Sequence, residues 1–427
     1  MQFFSTNRNA PKTNFKSAVI QSLPADNGLY FPEKIPVLSS DVIKGLRGKS
    51  LADVGFALMQ PYVTDTFTDN ELRSIVDDVF SFETPLVEVN DQIQALELYH
   101  GPTFAFKDVG ARFLARCLGA FAEQEGKEVT ILVATSGDTG GAVANGFLGV
   151  EGVKVVILYP SGKVSDLQEK QLTTLGQNIT ALEVDGVFDD CQAMVKRAFL
   201  DEDLNKQLNL TSANSINIAR WMPQGIYYAW MSLQLEDAAN TLIAVPSGNY
   251  GNITAGLLAK RMGFPLGSFV ACSNANDVVP RYLSSGQYEP KSTIPTYANA
   301  MDVSKPSNFP RLLELCNNDF EVVKNEMQGF SLNNEDIIAT IKSCKAENDY
   351  MLDPHGAIGY QALKEHLREG QKGVFLETAH PIKFATIMEK AIGELSLPEF
   401  ALDLMAKKKN ANFSDDSYES FVRFLTK

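Results

Sequence analysis

Lys107 is the side chain of this sequence with the clearest chemical prospects. It stands in HGPTFAFKDVGARFLARCLGAF, residues 100–121, at the head of an amphipathic helical stretch that follows a turn-like Gly-Pro, with Phe104 and Phe106 close by. An amine beside apolar surface and a helix amino terminus loses basicity, because its charged form is poorly solvated and is opposed by the helix dipole. The neutral amine is the form that attacks an aldehyde. On this local sequence alone, a solvated helix lysine accounts for the same residues.

Two further segments share one design, an apolar run that breaks into small residues and then becomes helical. They are VATSGDTGGAVANGF, residues 133–147, and IAVPSGNYGNITAGLLAKRMG, residues 243–263. Glycines allow a ligand close to the backbone, and free amides at the positive end of a helix suit an anion such as phosphate. A tight strand-to-helix turn with nothing bound is the bland alternative for either loop. Gly137, Gly140 and Gly141 are followed by no lysine, and GLRGKS at 45–50 has two residues too few between its glycines for a nucleotide-triphosphate loop. Neither loop has GxGxxG with an acidic residue about 20 positions on, as a dinucleotide site requires. A smaller ligand carrying a phosphate, with or without a carboxylate, remains.

The elements that must hold these segments are visible as apolar runs. VTILVA (129–134), VKVVILY (153–159), ITALEV (179–184), TLIAVP (241–246), FVACS (269–273) and GVFLET (373–378) are each separated from the next by room for a helix. That alternation predicts an α/β fold with mostly parallel sheets, in which ligands bind beyond the carboxyl ends of the strands. Residues 1–85 read differently. They have short apolar groups, three prolines from Pro24 to Pro36, and amphipathic stretches at 51–60 and 70–80. A small amino-terminal domain at 1–85 is expected, then a catalytic region at 86–427 with a small lobe near 110–215 and a large lobe made of 86–109 and 216–427.

Composition narrows the chemistry further. The 427 residues are 44% hydrophobic and 21% charged, an ordinary globular balance, and the net charge of −14 opposes nucleic-acid binding, which needs lysine and arginine on phosphates. Lys407, Lys408 and Lys409 form a short run that Asp415 and Asp416 follow, and they read as a solvated surface. Five cysteines without a CxxC pair argue against a disulfide framework or zinc site, and four histidines without HExxH spacing predict no catalytic metal. No signal-like start and no apolar run of about 18 residues is present, so a cytoplasmic chain with no membrane partner is expected.

Taken together, HGPTFAFKD, ATSGDTGGA and SGNYGN resemble the pyridoxal-phosphate enzymes of the tryptophan-synthase-β type (fold type II), and in detail the threonine synthase family. NGLYFP (27–32), TSANSINIARWMPQ (211–224), DPHGAIG (353–359) and ETAHPIKF (377–384) extend the resemblance along nearly the whole chain in the expected order. It implies a parallel-sheet fold with two α/β lobes and a small amino-terminal domain, and pyridoxal 5'-phosphate as cofactor. Lys107 would carry that cofactor and move protons. Gly248, Asn249, Tyr250, Gly251 and Asn252 would hold its phosphate, and Thr378 would face the pyridine nitrogen, where a neutral hydroxyl makes a more restrained electron sink than a carboxylate. Ser136, Gly137, Asp138 and Thr139 would grip the substrate carboxylate or lie beside the cofactor's phenolate oxygen. Asp138 stands where related β-replacement enzymes often have asparagine.

The implied reaction turns O-phosphohomoserine and water into threonine and phosphate, through loss of an α and a β proton, expulsion of the γ phosphate and addition of water at the β carbon. Arg220, Lys383 and the Ser215 to Asn217 stretch are the candidates for the leaving phosphate, arginine being favoured by its bidentate geometry. Two other readings share these motifs. One is a sister lyase such as threonine dehydratase or a cysteine synthase, and the other is a protein that binds the cofactor or a phospho-ligand without full turnover. NGLYFP and the long ETAHPIKF end favour the synthase. A monomer or a homodimer fits equally.

Overall fold

The computed structural model describes residues 1–135, 137–393 and 395–427. Two parallel sheets form its centre. The larger has six strands in the order Met327–Ser331, Phe269–Ser273, Leu242–Pro246, Gly373–Glu377, Ile93–Glu97 and Leu86–Glu88, all parallel except the last. The smaller has five parallel strands in the order Asn412–Asp415, Ile179–Asp185, Val153–Pro160, Val129–Ala134 and Leu210–Ser212. The central strands are continuous apolar runs because helices cover both of their faces. The sheet strands fall on all six runs marked in the sequence.

One difference concerns the carboxyl end. Residues 216–427 were assigned to the large lobe, yet Asn412–Asp415 pairs with Ile179–Asp185 and the closing helix Tyr418–Leu425 packs its Phe421 into the core of the smaller sheet. The chain thus crosses back to the lobe it left. Strand Asn412–Asp415 is mostly exposed and polar, so no apolar run announced it.

The amino-terminal segment carries a two-stranded antiparallel sheet, Phe3–Ser5 with Tyr30–Pro32, and the helices Leu51–Val63 and Asp69–Val79. Ser50 with Asp53 and Thr68 with Glu71 form capping boxes, which satisfy the free amides at those two helix starts. This segment does not have a separate core. A single apolar cluster runs from Phe3 through Phe113 and Trp221 to Leu376, and Phe67 stacks on Phe121 at 5.4 Å. No helix among the described residues is long and apolar enough to cross a membrane.

Candidate active site

The turn before Lys107 is sewn to the end of strand Gly373–Glu377. Phe106 N donates to Thr378 O at 2.9 Å, His380 N to Phe104 O at 3.0 Å, and Leu98 N to Glu377 O at 3.0 Å. Within the turn, the buried Asp108 carboxylate accepts from Thr103 N at 2.9 Å and from the Thr103 hydroxyl. Gly101 is obligatory there, since a Cβ would sit 2.5 Å from Asp108 Oδ2. Lys107 therefore opens helix Lys107–Glu125 at a fixed place beside Thr378, at the carboxyl ends of the parallel strands.

Lys107 is half-buried, and removal from water lowers its pKa; Asp138 opposes that shift, while Lys383 and Arg220 add to it. Burial likewise raises the Asp108 carboxyl to about 6, against the hydrogen bonds from Thr103. The side chains placed on the strand-end loops by sequence reasoning do converge here. Lys383 Nζ lies 2.8 Å from Asp138 Oδ1. Arg220 is buried, donates to Ala213 O at 2.5 Å, and leaves its Nε without a partner among the described residues.

Two role assignments need correction. Lys383 also donates to Thr103 O at 2.8 Å and to Gln171 Oε1 at 3.3 Å, so its three N–H groups are all engaged and none is left for a substrate phosphate. The Asp138 carboxylate accepts from Lys383 and from Gln168 Nε2 at 3.0 Å, and an anion cannot itself grip a carboxylate. The donors of that loop are the uncapped start of helix Asp138–Phe147 and the half-buried Thr139. Gly137, at φ +140°, packs against Gln168. Ser136 lies outside the described residues. Asn217 caps helix Ile218–Trp221 and donates to Val19 O and Ser212 O, which commits it to structure.

The second loop offers an anion site. Helix Gly251–Arg261 starts after Tyr250, whose φ of 62° is left-handed, and no side chain caps it. Asn252 is buried, with Oδ1 taken by Tyr228 and Nδ2 unpartnered. Gly248 is half-buried and Asn249 exposed just before it, and Tyr250 hydrogen-bonds Ser273 at 3.0 Å. Free amides, an orphaned amide group, a desolvated amine at Lys107 and the buried Thr378 fit an aromatic aldehyde that carries a phosphate. Pyridoxal phosphate is such a molecule.

The profile described as "Pyridoxal-phosphate dependent enzyme" matches residues 81–378. "Threonine synthase N terminus" matches residues 2–80 and "Threonine synthase, C-terminal" residues 356–424. The curated threonine synthase of Haemophilus influenzae is 45% identical over 93% of either chain. The structure of PLP-bound threonine synthase from Brucella melitensis superposes with a TM-score of 0.95 at 35% identity, covering 100% of this chain and 98% of that one. Threonine synthase from Escherichia coli superposes at 0.92 with 41% identity, covering 100% and 99%.

The chain belongs to the threonine synthase family. This makes it a pyridoxal-phosphate-dependent enzyme. Several polar residues of this threonine synthase family member escaped the sequence reading. Asp108 sits next to Lys107, and that position was its one signal. Gln168 and Gln171, on helix Asp166–Thr173, had none. Glu377 is buried against Asp353, whose N–H donates to its Oε1 at 2.6 Å, and Asp353 in turn bonds His355 Nδ1 at 2.6 Å. Burial, and then the Asp353 carboxylate, hold the Glu377 carboxyl well above its usual range.

Proposed function

We propose that the chain is a carbon-oxygen lyase that converts O-phospho-L-homoserine and water to L-threonine and phosphate, the last step of threonine biosynthesis. The observation that carries this reading is the buried Arg220 guanidinium, which forms no ion pair among the described residues, leaves its Nε without a partner there and lies close enough to Lys107 to lower its pKa. A substrate with a carboxylate and a phosphate at opposite ends needs such an excess of positive charge, whereas threonine or serine does not.

When bound, pyridoxal phosphate supplies an electron sink for the carbanion formed at the α carbon. The chain does the rest. Lys107, its basicity lowered by desolvation, anchors the cofactor and carries protons at its Nζ. Thr378 offers a neutral hydroxyl to the ring nitrogen, and Gly248, Asn249, Tyr250, Gly251 and Asn252 hold the cofactor phosphate. Ser136, Gly137 and Thr139 take the substrate carboxylate, with Asp138 and Lys383 keeping that loop against the Lys107 turn. Arg220 receives the substrate phosphate through its free Nε, where developing charge on the leaving group strengthens the contact. The reading carries with it a cytoplasmic location and a monomeric or homodimeric state.

The test is incubation of the purified holoenzyme with O-phosphohomoserine, with threonine and phosphate assayed together. Equal release of the two is expected. Formation of 2-oxobutanoate from threonine, with no threonine from O-phosphohomoserine, would replace the synthase by a dehydratase.

A further inference from the structure

Arg311 is a buried cation with no acid beside it among the described residues. It is 0% exposed, and its Nε and one terminal nitrogen donate to Tyr30 O at 3.2 and 2.9 Å. That terminal nitrogen also reaches Ile216 O at 2.8 Å, and the other donates to Asn308 Oδ1 at 2.8 Å. The guanidinium lies 4.4 Å from the centre of the Trp221 ring. No carboxylate of the described residues pairs with it, although burial lowers its pKa only to about 9, which leaves it charged at neutral pH. A buried charge without a counter-charge is costly, so an anion that binds nearby is favoured strongly.

Asn308 links this cation to the second anion loop. It too is 0% exposed, and its N–H donates to Asn249 O at 3.0 Å. A guanidinium can only donate, so the side-chain oxygen of Asn308 must face Arg311 and its NH₂ must face the other way. On that other side is the start of helix Gly251–Arg261, where a Cβ on Gly251 would lie 3.3 Å from Asn308 Nδ2. The one acceptor this NH₂ has among the described residues is Ser307 Oγ, at a long 3.5 Å. Asn252 Nδ2, buried and unpartnered, belongs to the first turn of the same helix. Two amide NH₂ groups therefore flank one uncapped helix start, and each is oriented by a neighbour that occupies its oxygen.

We propose that Asn308 is a further ligand of the cofactor phosphate and that Arg311 is the positioning residue behind it, its unopposed charge balanced by that phosphate. The assignment rests on reading residues 248–252 as the cofactor-phosphate loop. It adds to that loop two side chains about 60 residues downstream in the sequence.

Affinity for pyridoxal phosphate and for pyridoxal, which lacks the phosphate, separates this role from plain structural support. Both are titrated into the apo form of the full chain, the parent beside Asn308→Asp and Arg311→Met. Asn308→Asp keeps the side-chain shape and gives Arg311 the carboxylate it lacks, so thermal stability of the apo form should not fall. Its affinity for pyridoxal phosphate should drop about a hundredfold, since a donor to the dianion becomes a like charge, while pyridoxal affinity stays within about threefold. Arg311→Met should shift the ratio of the two affinities in the same direction. An Asn308→Asp variant that captures pyridoxal phosphate as tightly as the parent, or that weakens both ligands equally, overturns the proposal while leaving the cofactor loop in place. A parent apo protein that does not capture pyridoxal phosphate overturns the loop reading and the proposal together.

Discussion

Lys383 and Asp138 are joined by a buried ion pair, 2.8 Å between Nζ and Oδ1, that ties the 3-10 turn Pro381–Phe384, after strand Gly373–Glu377 of the larger sheet, to the start of helix Asp138–Phe147, after strand Val129–Ala134 of the smaller. Thr103 and Gln171 share the same ammonium, so one side chain registers the Lys107 turn, the start of helix Asp138–Phe147 and helix Asp166–Thr173 against one another. Removing one partner of a buried pair leaves an uncompensated charge, which costs about 3–5 kcal/mol, whereas removing both costs much less. Lys383→Met should be strongly destabilised in urea unfolding, and Asp138→Asn combined with Lys383→Met should recover much of the loss. Strictly additive effects of the two changes would mean that the pair is not coupled.

Reduction of the holoenzyme with borohydride should fix the cofactor to Lys107, and Lys107→Ala should bind pyridoxal phosphate without a covalent link. Peptide mapping decides this. Attachment to any other lysine would remove Lys107 from its assigned role.

Arg220→Ala should raise KM for O-phosphohomoserine and lower kcat while cofactor content is unchanged. The loss of charge-assisted hydrogen bonds is worth about 1.5–3 kcal/mol, a ten- to hundredfold fall in kcat/KM. Unaltered steady-state kinetics would place the phosphate pocket elsewhere.

Glu377 makes stability depend on pH in a definite direction. Its carboxyl is held well above its ordinary value of 4.5 by burial and by Asp353. The folded state therefore binds this proton more tightly than the unfolded chain does. Stability from this group is complete below about pH 4.5 and is lost as pH rises towards the folded pKa. Glu377→Gln is neutral at every pH, so between pH 5 and 8 the parent should lose stability relative to the variant. Parallel stability curves for the two proteins would show that Glu377 titrates alike in both states.

Gly248→Val should weaken cofactor binding for a reason that the glycine-rich motif alone does not reveal. A Cβ at Gly248 would meet Met301 Cα at 2.8 Å and Ala300 O at 3.0 Å, so the obstruction is the turn Asn299–Met301 and not the ligand. Affinity for pyridoxal phosphate and melting temperature should fall together. A variant with normal melting and weakened binding would show that the Cβ presses on the phosphate after all.

Much of this protein was legible in its sequence because the relevant physics is local. Strands buried on both faces must be continuous apolar runs, so Val129–Ala134 and Phe269–Ser273 could be read directly. Loops that bring backbone to an anion must be small-residue segments at helix starts, and both stood out. Lys107 was legible as a lysine just after two phenylalanines at such a start. What local sequence could not decide was which charge meets which. Thr103, Asp138, Gln171 and Lys383 lie far apart in the chain, and only the packing of two lobes brings the ammonium into contact with its three partners, which ends its availability for a substrate. Arg220 reads as easily on a surface, and its burial follows from helix Ile218–Trp221 lying under Lys107–Glu125. Arg311 carried no signal at all. Its meaning comes from long-range contacts with Tyr30, Ile216 and Trp221, and the energy of a buried charge depends on what the fold places around it, not on its neighbours in the chain.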